Sequence, residues 1–479
     1  MAVRIRHGVA VAALLTLGCW GEVYVPPDGR WNVLVVVPDT VRADHLGING
    51  YPAPTSPALD ALAREGANFT QAITAAPRTW QSYTSILTGL YPPRHGVRYI
   101  WDHPLETETP TMASVLGARG WETAAFDASN FLRSMTAGKQ FQRYNVATRI
   151  GGRSEDAVVV ERAAKYLGRQ RDAPFFAFVR INGAHWPYLH NEWTDEFEPC
   201  SGHRHLFNGM TYGLAHPVPG EGFSIANERA FRNAIWTDDI DEDTRRHRIA
   251  HYDAEIRATD TLIGQLVDSL RESGLLERTI IVISSDHGES FFEHGYMQHG
   301  PRVDDPVMRV PLIVRLPRGH PAHRSGRVVD TLVRTVDIAP TIFDAVGVPA
   351  PEGLDGVSLL PAIRGEEPPD LWAYGETGRS FMGIDPERHL PGVEGKQRMI
   401  RTAKWKLVWI PDEDGGIHRL YDLHNDPGET VDLAAREPER LMALRRHLDT
   451  ILAVERQRTP ERDLTEEQEQ QLRELGYLR

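Results

Sequence analysis

The chain is poor in cysteine, in excess positive charge and in long apolar runs. Its 479 residues include two cysteines, Cys19 and Cys200. At most one disulfide can form, and a cysteine-rich zinc module is excluded. Lys and Arg number 53 against 66 Asp and Glu, a formal net charge of −13. Sequence-independent nucleic-acid binding needs a basic footprint, so no nucleic-acid partner is expected. After Cys19 no stretch approaches the ~18 consecutive apolar residues of a membrane span. Internal repeats and low-complexity tracts are missing too. What is present is ordinary globular composition, 41% hydrophobic and 25% charged. That is enough for a sizeable core and inconsistent with a disordered, collagenous or disulfide-scaffold chain.

Met1 to Cys19 reads as an export signal. Arg4 and Arg6 form a basic start, Val9–Leu17 is an apolar run interrupted by Thr16, and Gly18-Cys19 follows. Such a segment addresses the chain to the periplasm, and acylation of Cys19 would anchor it to the cell envelope. With Cys19 removed or acylated, Cys200 is left as a lone structural thiol.

The run Trp31–Pro38 (WNVLVVVP) has the continuous β-branched character of a buried parallel strand. Further strands are expected at Thr123–Phe126, Pro174–Ile181, Thr279–Ser285 and Val310–Leu316. Helical patterns lie between them, including Ala58–Glu65 behind a Ser56 cap and the long amphipathic Tyr252–Arg271. This alternation predicts an α/β fold with a mostly parallel central sheet and helices on both faces. Gly347–Pro369 reads as a connection. After it come Lys406–Ile410 and His418–Leu423 as a small antiparallel unit, the helix Pro438–Glu455, and a charged helical tail, Glu461–Leu478. The expected division is therefore 1–19 signal, 31–370 catalytic domain, and 371–479 a C-terminal subdomain with a short antiparallel sheet and a helix. The acidic run Asp238–Asp243 reads as a solvated turn.

Ligands in such sheets sit beyond the carboxyl ends of strands. The first strand ends in Asp39, and the late strand Thr279–Ser285 runs into Asp286-His287-Gly288-Glu289. Two carboxylates and an imidazole at neighbouring strand ends can hold one divalent cation, with calcium, manganese and zinc all compatible. Thr79 precedes the apolar periodic stretch Trp80–Leu90, so it falls at a helix N-terminus, where free amides favour an anion. Its hydroxyl becomes a nucleophile only if a metal or base lowers its pKa. His185, His294 and His299 lie in loops past the same sheet edge.

These segments together resemble the sulfatase family of the alkaline phosphatase superfamily. The matching stretches include NVLVVVPDTVRADHLGINGY, PTSPALDALAREGANFTQAITAAP, ILTGLYPPRHGV, TIIVISSDHGE, VDIAPTIFDAVGVP and RLYDLHNDPGE, in family order. The resemblance implies Asp39, Asp286 and His287 as metal ligands, with Thr79 at the nucleophile position also facing the metal. It places His185 and His299 beside the ester oxygens as substrate-binding and catalytic groups. A second metal would take His294 or His299.

The chain departs from the family pattern in several places. Thr79-Trp80-Gln81-Ser82-Tyr83 stands where Cys (or Ser)-x-Pro-x-Arg is usual, so no formylglycine is expected. The acidic pair near the first strand becomes Asp39-Thr40, and Asp127-Ala128-Ser129-Asn130 replaces Lys-x-x-His. A formylglycine hydrate expels sulfate through its second hydroxyl, which threonine lacks. A threonyl phosphate is open to hydrolysis by activated water. The expectation is a metal-dependent hydrolase of sulfate or phosphate esters, inclined to phosphomonoesters or phosphodiesters. Its substrate would be a small molecule or a glycan or lipid-headgroup ester. A phosphoalcohol transferase, a true sulfuric ester hydrolase and a catalytically dead binding protein are the alternatives.

Overall fold

The computed structural model describes residues 24–458 apart from 27–28, 99–104, 130, 135–136, 148–153, 187, 189–190, 192, 198–241, 367–369, 378–395 and 412–415. The export segment with Cys19, Cys200, most of the acidic run at 238–243 and the tail 461–478 lie outside the described residues.

The core is an eight-stranded sheet. In chain order its strands are β1 (Asn32–Pro38), β2 (Ala67–Ile73), β3 (Glu122–Asp127), β4 (Arg143–Val146), β5 (Phe175–Ile181), β6 (Thr279–Ser284), β9 (Arg309–Arg315) and β10 (Arg327–Arg334). They lie in the order β10-β2-β9-β6-β1-β5-β3-β4. β9 runs antiparallel to β2 and β6, and the other pairings are parallel. Between β6 and β9 sits a two-residue ribbon of β7 (Ser290–Phe291) and β8 (Met297–Gln298).

Side-chain alternation along the strands separates two cores. Val33, Val35 and Val37 of β1 face one apolar cluster, with Phe176 and Phe178 of β5 and the helices Thr79–Thr88 and Ile338–Ala345. Leu34 and Val36 face the other, under Pro57–Glu65, Glu155–Leu167 and Glu242–Glu272. Helices thus cover both faces, which is why β1 is apolar and buried from Val33 to Pro38. A smaller antiparallel sheet follows: β11 (Ala373–Glu376), β12 (Arg398–Arg401), β13 (Trp405–Ile410) and β14 (Ile417–Asp422). The helix Pro438–Arg458 contributes Leu444 and Leu448 to its apolar cluster.

One local expectation is corrected. Ser56 makes no side-chain cap to the helix Pro57–Glu65. The amides of Ala58 and Leu59 donate instead to the carboxylate of Asp260, at 3.0 and 2.8 Å. Ser56 Oγ accepts from Gly47 N and donates to Asp60. A carboxylate from a distant helix carries more charge to the helix dipole than a local hydroxyl, and it welds two elements together.

The helix that begins at Thr79 is braced by a buried imidazole. His95 Nδ1 accepts from Val97 N at 3.1 Å, which puts the ring proton on Nε2, where it donates to Ser85 Oγ at 3.0 Å. Burial pushes its pKa down to about 3. The unfolded chain takes up this proton near pH 6.5 and the folded chain does not, so stability falls as pH drops below 6.5. Between pH 6.5 and 5 this site costs about 2 kcal/mol, at ~1.4 kcal/mol per pH unit. Urea midpoints of the wild type and His95→Gln at pH 7 and 5 check it. The wild type should lose more stability on acidification, and equal losses would remove His95 as the source.

Candidate active site

The strand registers carry the chemistry to one place. Val36 of β1 is level with Ile283 of β6, so three residues further on Asp39 comes level with Asp286. Pro38 is level with Ile181 of β5, so Asp39 also leaves the sheet beside Asn182. The chain after β2 meets the same edge, where Thr74 Oγ1 donates to the Asp286 carbonyl at 2.5 Å. It then enters the helix Thr79–Thr88, with Thr79 as its first residue.

Asp39 and Asp286 are both fully buried. Arg180 Nη2 donates to Asp39 Oδ2 at 2.6 Å, and Asp39 Oδ1 has no hydrogen-bond partner. Asp286 Oδ1 accepts from the amides of Thr40 and His287 at 3.1 and 2.9 Å, and Oδ2 has no partner. His287 Nδ1 lies 3.0 Å from the Gly288 carbonyl. It must donate there, which leaves a lone pair on Nε2. That nitrogen is 3.6 Å from Asp39 Oδ1 and 3.4 Å from Asp286 Oδ2. All three ligand atoms lie within 4.8 Å of one another. Two orphaned buried carboxylate oxygens facing an imidazole lone pair are costly to maintain without a cation between them, so the donor set fits a divalent metal.

The electrostatics agree. Burial pushes the Asp39 carboxyl up, but Arg180 with His185 and His287 more than offsets this and holds it below the usual carboxylate range. Asp286 is driven well up by burial and by the negative charge of Asp39. Burial lowers His287 to about 4, so its ring is neutral near pH 7, as a ligand must be.

Thr79 Oγ1 lies 3.5 Å from His287 Nε2. The His299 ring sits 4.2 Å from the His287 ring, and the His185 ring 5.1 Å from that of His299. His185 is exposed at the mouth, while His299 is largely enclosed. His294 does not join them. It forms a separate cluster with Asp304 and Glu429, whose carboxylates already pair with Arg302 and Lys406.

Backbone strain is concentrated here. Thr40 takes φ +58, unusual for a β-branched residue. Its carbonyl accepts from Tyr252 OH at 2.7 Å while its amide holds Asp286. The position that lacks the family's second carboxylate therefore keeps a backbone role. Gly183 has φ +62, and a Cβ there would meet the Asp39 carbonyl at 2.7 Å, so only glycine lets the His185 loop pass this close.

Three contributors escape sequence reasoning. Arg180 sits on the β5 face shared by Phe176 and Phe178, over the Tyr83 ring at 5.5 Å. It contacts Asp39, Asp127, Ser129 and Asn182. Its signal was a charge inside the apolar run FFAFVRI. Glu289, fully buried, meets His299 Nδ1 at 3.0 Å and accepts from Tyr188 OH at 2.8 Å. Asp156 accepts from the amides of Asn182 and Gly183 at 2.8 and 3.2 Å and fixes the loop that carries His185.

A mostly parallel sheet, covered by helices on both faces and carrying this cluster beside a hydroxyl at its carboxyl edge, defines a hydrolase of the alkaline phosphatase-like fold. The chain belongs to the sulfatase family, which it matches over residues 31–348. Residues 292–457 match the C-terminal region of N-sulphoglucosamine sulphohydrolase. Arylsulfatase K of Bos taurus is 24% identical over 485 residues, covering 90% of this chain and 83% of the relative. Phosphonate monoester hydrolase of Agrobacterium radiobacter superposes with TM-score 0.72 at 23% identity, covering 89% of this chain and 96% of that one. A structure solved with its substrate D-glucosamine-2-N,6-O-disulfate gives TM-score 0.69 at 18% identity, covering 90% and 99%.

Proposed function

We propose that this sulfatase-family protein hydrolyses phosphoric or sulfuric esters through Thr79, with phosphorus the preferred centre. The observation that carries the reading is the Thr79 hydroxyl, 3.5 Å from the Nε2 of His287 in a cluster whose two carboxylates keep free oxygens. Asp39, Asp286 and His287 would hold a divalent cation. The chemistry supplied by such an ion is a lowered pKa at an adjacent hydroxyl and withdrawal of charge from the ester oxygens. Thr79 Oγ gives up its proton to solvent and attacks in line as the bond to the leaving alkoxide breaks. The first amides of the Thr79–Thr88 helix receive the equatorial charge. His299 or His185 returns a proton to the departing alcohol. Water then displaces Thr79, giving one proton back to that histidine, while Thr79 Oγ is reprotonated from solvent and the oxyanion is released.

Threonine cannot become formylglycine, and a threonyl ester has no second hydroxyl with which to expel sulfate. That chemistry favours phosphorus. The sulfatase names among the relatives support the second reading, a sulfuric ester cleaved by the same Thr79. The substrate is read as a small-molecule or glycan ester, in keeping with the saccharide ester in one structural neighbour. Export through the first 19 residues, with Cys19 as a lipid anchor, completes the reading. Rates on p-nitrophenyl phosphate, bis-p-nitrophenyl phosphate and p-nitrophenyl sulfate test it, alongside metal analysis. Either phosphate should exceed the sulfate at least about tenfold. A sulfate rate above both phosphates would transfer the assignment to sulfur.

A further inference from the structure

The end of the sheet opposite Thr79 holds an arginine-lined cavity that the reaction does not use. Where β1 and β5 begin, a cavity of about 280 Å³ is lined by Arg30, Arg169, Arg171, Arg278, Asp172 and Tyr24. Four guanidiniums against one carboxylate is an inversion on a chain of net charge −13. Arg171 is the best defined. Its side chain is 10% exposed, and its nearest carboxylate oxygen, Glu122 Oε2, is 3.7 Å from Nε. Nη2 donates to the Tyr166 carbonyl, but Nη1 is buried with no acceptor. Burial pulls its pKa down, with Tyr166 and Glu122 offsetting this in part.

The aromatic rings hold guanidinium faces and leave donor edges. Arg171 lies 4.3 Å over Tyr166 and 4.9 Å over Phe175, and Arg278 lies 4.1 Å over Tyr24. Stacked guanidiniums lose little entropy on binding, and their forked edges match the oxygens of sulfate and phosphate. The volume is just under the ~300 Å³ lower bound of small-ligand pockets, room for an oxyanion with about a single sugar ring attached.

We infer that this cavity is a second anion site, which takes a sulfate or phosphate group, either free or carried on a saccharide. The inference stands on the arginines alone and does not depend on which ester Thr79 cleaves. Its consequence is that the anion class released at one edge of the sheet is bound at the other.

Isothermal titration of the full chain with sodium sulfate, against sodium chloride at matched ionic strength, tests it. Arg169 and Arg278 are exposed, so Arg169→Gln/Arg278→Gln keeps the fold. The wild type should show saturable sulfate binding that weakens at least tenfold in the double variant. Turnover of a p-nitrophenyl ester should be unchanged in that variant. The same loss should appear in Arg171→Met. If neither variant loses a sulfate-binding event that the wild type shows, or if chloride reproduces that event, the site is overturned. Glucosamine 6-sulfate binding more tightly than inorganic sulfate would name the saccharide as the source of the group. Equal binding would name the free anion.

Discussion

Thr79→Ala is expected to lower kcat at least about a thousandfold while leaving metal content and fold unchanged. Thr79 begins its helix but does not cap it, since Arg78 is the N-cap residue and the cap makes no side-chain bond. Among the described residues, Thr79 Oγ1 meets His287 Nε2 at 3.5 Å. Removing the hydroxyl therefore strips no structural hydrogen bond and should change stability by less than about 1 kcal/mol. The helix amides and the Asp39, Asp286 and His287 cluster remain, so binding of substrate should persist and KM should move little. Thr79→Ser keeps the oxygen and should retain measurable turnover. The pair of variants separates the nucleophile from mere bulk. Initial rates with atomic-absorption metal analysis decide the matter, and full turnover by the alanine variant would overturn the mechanism.

Much of this arrangement was readable before any fold was known, and the reasons are specific. β1, β5 and β6 are covered on both faces, so their sequences are dominated by apolar runs that announce themselves, Arg180 of β5 being the charged exception. β2 is different. Its segment ANFTQAI carries Asn68, Thr70 and Gln71, and it reads as a loop until β9 and β10 pair with it on either side. β10 shows four residues at least partly to solvent and is equally quiet in sequence. The approach of Asp39 and Asp286 was readable because both lie just past strand ends, and strand ends in a parallel sheet converge. Arg180 was not, because an arginine in a strand has meaning only once its partner is known. That partner, Asp39, is 141 residues away. Glu289 and His299 are ten residues apart, but the tyrosine that completes their contact is 101 residues from Glu289. The misassigned cap at Ser56 has the same origin. A local hydroxyl was the obvious candidate, and the carboxylate that won comes from a helix some 200 residues later. Local chemistry is visible in a sequence. Long-range polar pairs, which decide how buried charge is compensated, are not.

The sharpest consequence of that compensation is a stability order that reverses with metal. Asp286→Asn keeps an oxygen for the amides of Thr40 and His287, the two bonds made by Oδ1. It exchanges the partnerless Oδ2 for an amide and removes one negative charge from the buried pair. In the metal-free protein, burial and the Asp39 charge raise the Asp286 pKa, so keeping this carboxyl folded above the ordinary carboxylate range costs stability that the unfolded chain does not pay. The sign follows: a folded pKa above the unfolded value makes the metal-free wild type less stable as pH rises past the ordinary carboxylate range. Asp286→Asn is free of that cost and should be more stable than the wild type in chelator, by roughly 1–2 kcal/mol. With metal the order inverts. Ligand at about a hundred times its Kd adds about 2.7 kcal/mol to the folded wild type, and the variant, lacking one of two carboxylates, gains little. Thermal melts of both proteins with excess chelator and with saturating calcium, manganese or zinc should therefore cross. Arg180 holds the remaining Asp39 charge in both proteins, so the crossing reports the pair and not a lone carboxylate. If the variant melts below the wild type by the same margin in chelator and in every metal, the two aspartates do not share a cation, and the catalytic assignment built on them fails.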